Sequence, residues 1–204
     1  QTEKEQKEFE IFMAEFSNAF TKMAEKGHLT IKQKGLEADD LAAWIVGKRK
    51  DFGIDEIWLI SSDKDWDLLI QNGVSRFSTV TRKETTMDNW DEHYDFDREK
   101  FLTFKCLAGD TGDNIPGITG IGPKRATQLI EQYGDLFDIY GACPIDSRYK
   151  HIQSLNENAD RLLLNAELMD LESYSEQALI ESNMNLEDLS SNITRYLNEN
   201  RDRL

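Results

Sequence analysis

Gly109-Asp110-Thr111-Gly112-Asp113-Asn114-Ile115-Pro116-Gly117-Ile118-Thr119-Gly120-Ile121-Gly122-Pro123-Lys124 joins two stretches of helical pattern. Phe101 to Ala108 precedes it, and Ala126, Leu129, Ile130 and Tyr133 follow before a stop at Gly134. Pro123 suits the first turn of the second helix, where the amide a proline lacks has no helical partner to lose. Gly117, Gly120 and Gly122 let the backbone approach another group closely, and the amides that open the next helix are free donors. Lys124 and Arg125 add positive charge, and residues 115–130 contain no acid. Together these features read as a helix-hairpin-helix, which grips a phosphate backbone without reading its bases. A plain tight turn between packed helices is the competing reading, and the paired cations weigh against it.

Upstream, Ile57-Trp58-Leu59-Ile60 is a continuous apolar run that predicts a strand buried on both faces of a parallel sheet. It leads into Ser61-Ser62-Asp63. Leu29 to Lys34 alternates and predicts a short strand, Leu41 to Val46 the buried side of a helix, Trp66 to Ile70 a short helix, and Val74 to Val80 another strand. Strand, helix, strand at this spacing implies a βαβ-type parallel sheet, whose functional groups gather at the carboxyl ends of strands. Residues 3–26 carry Phe9, Phe12, Met13, Phe16, Phe20 and Met23 at spacings of three and four, which predicts a helix packed into a core by its aromatic stripe. From Tyr149 onward the pattern is mainly helical, fraying after Tyr196.

Seven carboxylates stand out by position: Glu37, Asp39 and Asp40 at a turn into a helix, Asp63 and Asp65 after a strand, and Asp110 and Asp113 in the hairpin stretch. Gathered from three segments, they could not all stay ionised without cations, and a hard divalent ion such as Mg²⁺ or Mn²⁺ is the expected neutraliser. Two such ions can hold a phosphodiester and activate water. Asp63-Lys64-Asp65-Trp66-Asp67 is not a calcium loop, since Leu68 stands where glycine is needed and Val74 where glutamate is needed.

The 204 residues hold 24 Lys and Arg against 39 Asp and Glu, a net charge of −15. A uniformly acidic protein would repel nucleic acid, so the distribution matters more than the total. Residues 151–204 hold 11 acids and 4 bases, while residues 115–150 balance at 4 and 4. No apolar run is long enough to span a membrane. The chain opens at Gln1 with no basic n-region or apolar h-region, so a signal peptide is not expected and a reducing cytoplasm is. Cys106 and Cys143 lack CxxC spacing and read as small buried hydrophobes, and His28, His93 and His151 are too scattered for a nucleophilic triad. Asn192-Ile193-Thr194 matches the glycosylation pattern by chance.

Four motifs in order carry a resemblance: Gly35-Leu36-Glu37-Ala38-Asp39-Asp40, Ser61-Ser62-Asp63-Lys64-Asp65, Gly109 to Asn114, and Gly117 to Lys124. They resemble the phage and bacterial 5′ nuclease (flap endonuclease) family, most closely its T-odd coliphage members, from the first helix to at least residue 170. The resemblance implies an α/β fold: a largely parallel sheet flanked by helices, a helical arch, and a helix-hairpin-helix on the duplex. It implies a metal-dependent 5′ nuclease that cuts DNA and RNA primers at 5′ flaps or ends in replication. A DNA-binding module without cleavage is the alternative. Glu37, Asp39, Asp40 and Asp63 would serve one ion and Asp65, Asp110 and Asp113 the second, with Glu37, Asp39 and Asp63 catalytic. Gly117, Gly120, Gly122, Lys124 and Arg125 would bind DNA, with potassium at the hairpin carbonyls. Family members begin with about 100 further residues that carry two strands. The chain is therefore expected to be the C-terminal two thirds of such an enzyme, monomeric apart from a separate N-terminal polypeptide. Its expected segments are an arch-type helix at 1–27, the rest of the α/β core at 28–100, the hairpin region at 101–150 and a helical segment at 151–204. Lys64 stands where the family commonly has glycine and is expected to put a cation inside the carboxylate cluster.

Overall fold

The structure, a computed structural model, describes residues 2–201. In chain order its elements are α1 (Glu3–Glu25), α2 (Ala38–Gly47), β1 (Ile57–Ile60), β2 (Val74–Ser78), β3 (Lys83–Thr85), α3 (Phe101–Ala108), β4 (Gly109–Asp110), β5 (Ile115–Pro116), α4 (Pro123–Tyr133), α5 (Leu136–Ala142), α6 (Lys150–Glu157), α7 (Asp160–Met169), α8 (Leu171–Glu181) and α9 (Leu186–Glu199). They form two units, residues 37–177 and residues 1–36 with 178–204.

In the larger unit β1 pairs with β2 in parallel, Leu59 opposite Arg76, and β2 pairs with β3 in antiparallel register. A 3₁₀ turn, Asp65–Leu69, lies in the β1 to β2 crossover. Ala43, Val46, Leu59, Leu69 and Val74 close one core between α2 and the sheet. A larger core runs from Cys106 through Ile118, Ile121, Leu129 and Leu155 to Met169, so α7 packs with the hairpin region rather than apart from it. The α4 stripe of Ala126, Leu129 and Ile130 is buried as its spacing requires.

Several expectations are corrected. Leu29 to Lys34 forms no strand, so the parallel pair is β1 with β2, and β3 adds an antiparallel edge. β1 is an edge strand, with Trp58 48% and Ile60 61% exposed; an apolar run registers hydrophobicity on both faces but not the presence of cover. The aromatic stripe of α1 likewise holds no fully buried residue: Phe12 is 60% and Phe16 44% exposed, Phe12 stacks on Phe16, and Phe16 meets Phe20 at a tilt along the same helix. Periodicity reports an amphipathic face, not what lies on it. α9 continues through Glu199, past Tyr196, opened by Asn185, whose side chain accepts from the amides of Glu187 and Asp188. Among the described residues no helix is long and apolar enough to cross a membrane.

Candidate metal centre and nucleic-acid interface

Three residues complete one turn of a 3₁₀ helix, so consecutive side chains of the Asp65–Leu69 turn leave in three directions. Asp65 meets the ammonium of Lys105. Trp66 donates its indole N–H to Asp39 Oδ1 at 2.8 Å, and Asp67 turns inward to Arg76. Lys105, 5% exposed, comes from α3, and its Nζ also lies 3.0 Å from Asp110 Oδ2. The turn after β4 wraps its own carboxylate: the amides of Gly112 and Asp113 donate to Asp110 Oδ1 at 2.8 and 3.3 Å. Asp65, Asp110 and Asp113 each offer an oxygen, and these lie within 4.8 Å of one another. Among the described residues no second group of three metal-ligating side chains comes this close.

The other four predicted ligands are gathered less tightly. Glu37 precedes α2, with Asp39 and Asp40 in its first turn. Asp63 is exposed beyond β1 and accepts the amide of Asp65 at 3.0 Å on Oδ1. Burial raises the pKa of Asp39, and the charges of Asp63, Glu37 and Asp65 add to it, partly offset by the Trp66 hydrogen bond. Burial and then the charge of Glu37 raise the pKa of Asp40, partly offset by a hydrogen bond with the Glu37 backbone. Burial raises Asp65 too, against the opposing pull of Lys105. For Asp110 burial is outweighed by Lys105 and the two amides, and its pKa is lowered. Lys64 is exposed, so the cation held within the cluster is Lys105 instead.

An all-carboxylate donor set is what hard divalent cations take. Three carboxylate oxygens within 4.8 Å of one another fit such an ion, and in the metal-free chain the Lys105 ammonium lies against two of those carboxylates. Lys105 escaped the sequence reading, although a single charge within Phe101-Leu102-Thr103-Phe104-Lys105-Cys106-Leu107-Ala108 was the signal available.

The hairpin follows directly. A Cβ on Gly117 would lie 2.3 Å from the Ala108 carbonyl carbon, and one on Gly109 2.2 Å from the Gly117 amide, so backbone packs on backbone where β4 meets β5. Ile118 and Ile121 anchor the turn in the core, each 3% exposed. Gly120, at φ 82°, forms the tip, and Arg125 donates to its carbonyl at 2.6 Å. Gly122, Lys124 and Arg125 are exposed where α4 begins, and no side chain caps that helix, whose Arg125 and Ala126 amides both turn back to the Gly122 carbonyl at 3.0 Å. Asn165, 1% exposed on α7, donates to the carbonyls of Cys106 and Pro116 at 2.9 and 3.0 Å, a brace that no local pattern announced.

An acidic corner at the end of a parallel strand pair, continuous with a glycine hairpin, is the arrangement of metal-using proteins that handle phosphate backbones. The chain belongs to the 5′-3′ exonuclease family with a C-terminal SAM fold, whose model matches residues 96–198. It is 40% identical to the flap endonuclease of Escherichia phage T5 over 179 residues, which are 87% of this chain and 61% of that protein. Against DNA polymerase I of Rhizobium leguminosarum it is 33% identical over 141 residues, 69% of this chain and 14% of the polymerase. A solved structure of the T5 5′-exonuclease with zinc bound matches with a TM-score of 0.84 at 36% identity, covering 98% of this chain and 72% of that one. The chain thus spans part of the length of each relative.

Proposed function

We propose that this chain is the metal-binding and duplex-holding portion of a structure-specific 5′ nuclease. The whole enzyme hydrolyses phosphodiesters of DNA, and of RNA primers, at 5′ flaps or ends, with Mg²⁺ or Mn²⁺. The observation that carries this reading is the cluster of Asp65, Asp110 and Asp113, two of whose members, Asp110 and Asp113, stand on the same connection as the glycine hairpin, so that a gripped backbone would lie beside the carboxylates. Asp65, Asp110 and Asp113 would hold one ion, and Glu37, Asp39, Asp40 and Asp63 the other. Ions there would supply activated water and charge stabilisation for the departing oxygen. Lys105 neutralises Asp65 and Asp110, Trp66 orients Asp39, and Glu37, Asp39 and Asp63 contribute the remaining catalytic charge. At the hairpin, the amides of Gly120 and Gly122 and the ammonium of Lys124 take a phosphate, Gly117 keeps the backbone close, Arg125 braces the tip, and potassium sits at the carbonyls.

The exposed faces of β1 and of α1 support a partner, a further polypeptide of the same enzyme that supplies strands beside Trp58 and Ile60 and cover for Phe12 and Phe16. With it the enzyme acts as a monomer in a reducing cytoplasm. The second reading, a DNA-binding module without cleavage, draws on Lys105 already lying within the cluster.

Calorimetry with Mn²⁺ and anisotropy with a 5′-flap DNA test the proposal. One site abolished by Asp110→Asn with Asp113→Asn is expected, together with flap binding whose salt slope falls by about one unit in Lys124→Ala. Flap cleavage is expected to be slow for the isolated chain and faster when the N-terminal part of the phage relative is added. Failure to bind either Mn²⁺ or flap DNA would overturn the reading. Binding of both with no cleavage on complementation would leave the second.

A further inference from the structure

Arg76 sits on the buried face of β2, between Val74 and Ser78, and is 6% exposed. Its Nε donates to Asp67 Oδ1 at 2.5 Å and its Nη2 to Asp67 Oδ2 at 3.0 Å, a bidentate pair. Nη2 also reaches Thr85 Oγ1 at 3.3 Å on β3, and Tyr94 donates its hydroxyl to Asp67 Oδ2 at 2.6 Å. The remaining nitrogen, Nη1, donates to the Ser61 carbonyl at 3.2 Å, the first residue after β1. One guanidinium therefore holds both ends of the segment from Ser61 to Asp67. Asp63 and Asp65 lie between those ends, and Trp66, which holds Asp39, lies beside the second.

A buried ion pair is weak evidence of a stability role, because apolar side chains of similar volume commonly fill such a place at no loss. An apolar pair cannot hold the Ser61 carbonyl, so the stretch carrying Asp63 and Asp65, ahead of the core residues Leu68 and Leu69, would lose the one group that ties both of its ends together. From this geometry we infer that Arg76, with Asp67 and Tyr94, is a positioning device that fixes the Ser61–Asp67 segment and so sets Asp63 and Asp65 for cation binding. The inference rests on the metal-dependent reading above and assigns no contact with substrate to Arg76. Tyr94 fits the same role: burial, then the neighbouring Asp67 charge, raises its pKa, and it stays a donor. Residues that orient ligands are typically worth about 10–100-fold in metal affinity.

The test compares three 204-residue chains: wild type, Arg76→Lys, and the triple variant Asp67→Leu, Arg76→Met, Tyr94→Phe, which removes the polar group without leaving an unpaired charge. Chemical denaturation, Mn²⁺ calorimetry and amide hydrogen exchange of the metal-free chain are measured on each. The triple variant is expected to keep near wild-type stability, to exchange its 61–67 amides at least about 10-fold faster while α4 is unchanged, and to bind Mn²⁺ about 10–100-fold more weakly. Arg76→Lys is expected to show the same two losses, since lysine cannot make the bidentate pair and the third bond together. Where the triple variant fails to fold, Arg76→Lys decides. A folded variant with wild-type exchange across 61–67 overturns the inference whatever the Mn²⁺ result. Wild type that binds no Mn²⁺ sinks the metal reading alone, because the exchange measurement still judges the clamp.

Discussion

Lys105 lets Asp65 and Asp110 share a partly buried corner, because one ammonium lies against both carboxylates. Burial opposes its charge, but the two partners outweigh burial and its pKa is raised above 10.5. Its contribution to stability is therefore complete below the unfolded value and is lost as pH climbs through the raised one. Asp110 runs the other way: its pKa lies below 3.8, so its contribution is present above the ordinary value and lost as pH falls through the lowered one. Lys105→Met should cost about 1–3 kcal/mol at neutral pH in urea denaturation. It should also flatten the alkaline limb of stability against pH; an unchanged limb would show that the pairing contributes nothing. Asp39 has the opposite sign to Asp110. Burial and neighbouring acids raise its pKa, so its contribution belongs to low pH and is lost as pH rises. Asp39→Asn, which keeps an acceptor for Trp66, should stabilise the metal-free chain by about 0.5–2 kcal/mol, checked by the same denaturation.

Among the elements, the hairpin separates two uses of glycine. Gly117→Ala forces a Cβ into the Ala108 carbonyl and should destabilise by about 1–3 kcal/mol. Gly122→Ala meets nothing within 4 Å, so stability should change by about 0.5 kcal/mol or less while flap affinity drops, if the backbone there approaches phosphate. Paired denaturation and anisotropy would expose an error if the two substitutions behaved alike. The hairpin and its flanking helices were legible because local rules govern them: Pro123 at a first turn, a glycine stop, apolar residues at helical spacing. The gathering of Asp65 with Asp110 and Asp113 was legible only as a convergence of motifs, since composition cannot say which carboxylates meet. Lys105, Arg76 and Asn165 were not legible, because a buried polar side chain is explained by its partners, and no helical or strand period says which residues those are, whether five positions away as for Lys105 and Asp110 or 59 as for Asn165 and Cys106.

For the molecule as a whole, the sequence carries apolar surface that the described residues do not cover. The stripe of α1 reads as core by period, yet Phe12 is 60% exposed. Phe12→Gln should therefore leave stability within about 0.5 kcal/mol, where a buried phenylalanine would lose about 3–5 kcal/mol on truncation; thermal denaturation tells the two apart. Asn165 carries a different consequence. Its amide closes on two carbonyls, one of them 49 positions earlier, and Leu162 and Met169 share the core of Ile118 and Leu129. The hairpin is thus no portable cassette. A peptide cut to residues 101–150 would retain every motif that announced it yet lack the wall that shapes it, and it should show little cooperative melting by circular dichroism. Extending that peptide through α7 should restore the transition, so the smallest piece able to hold a duplex ends later than its signature does.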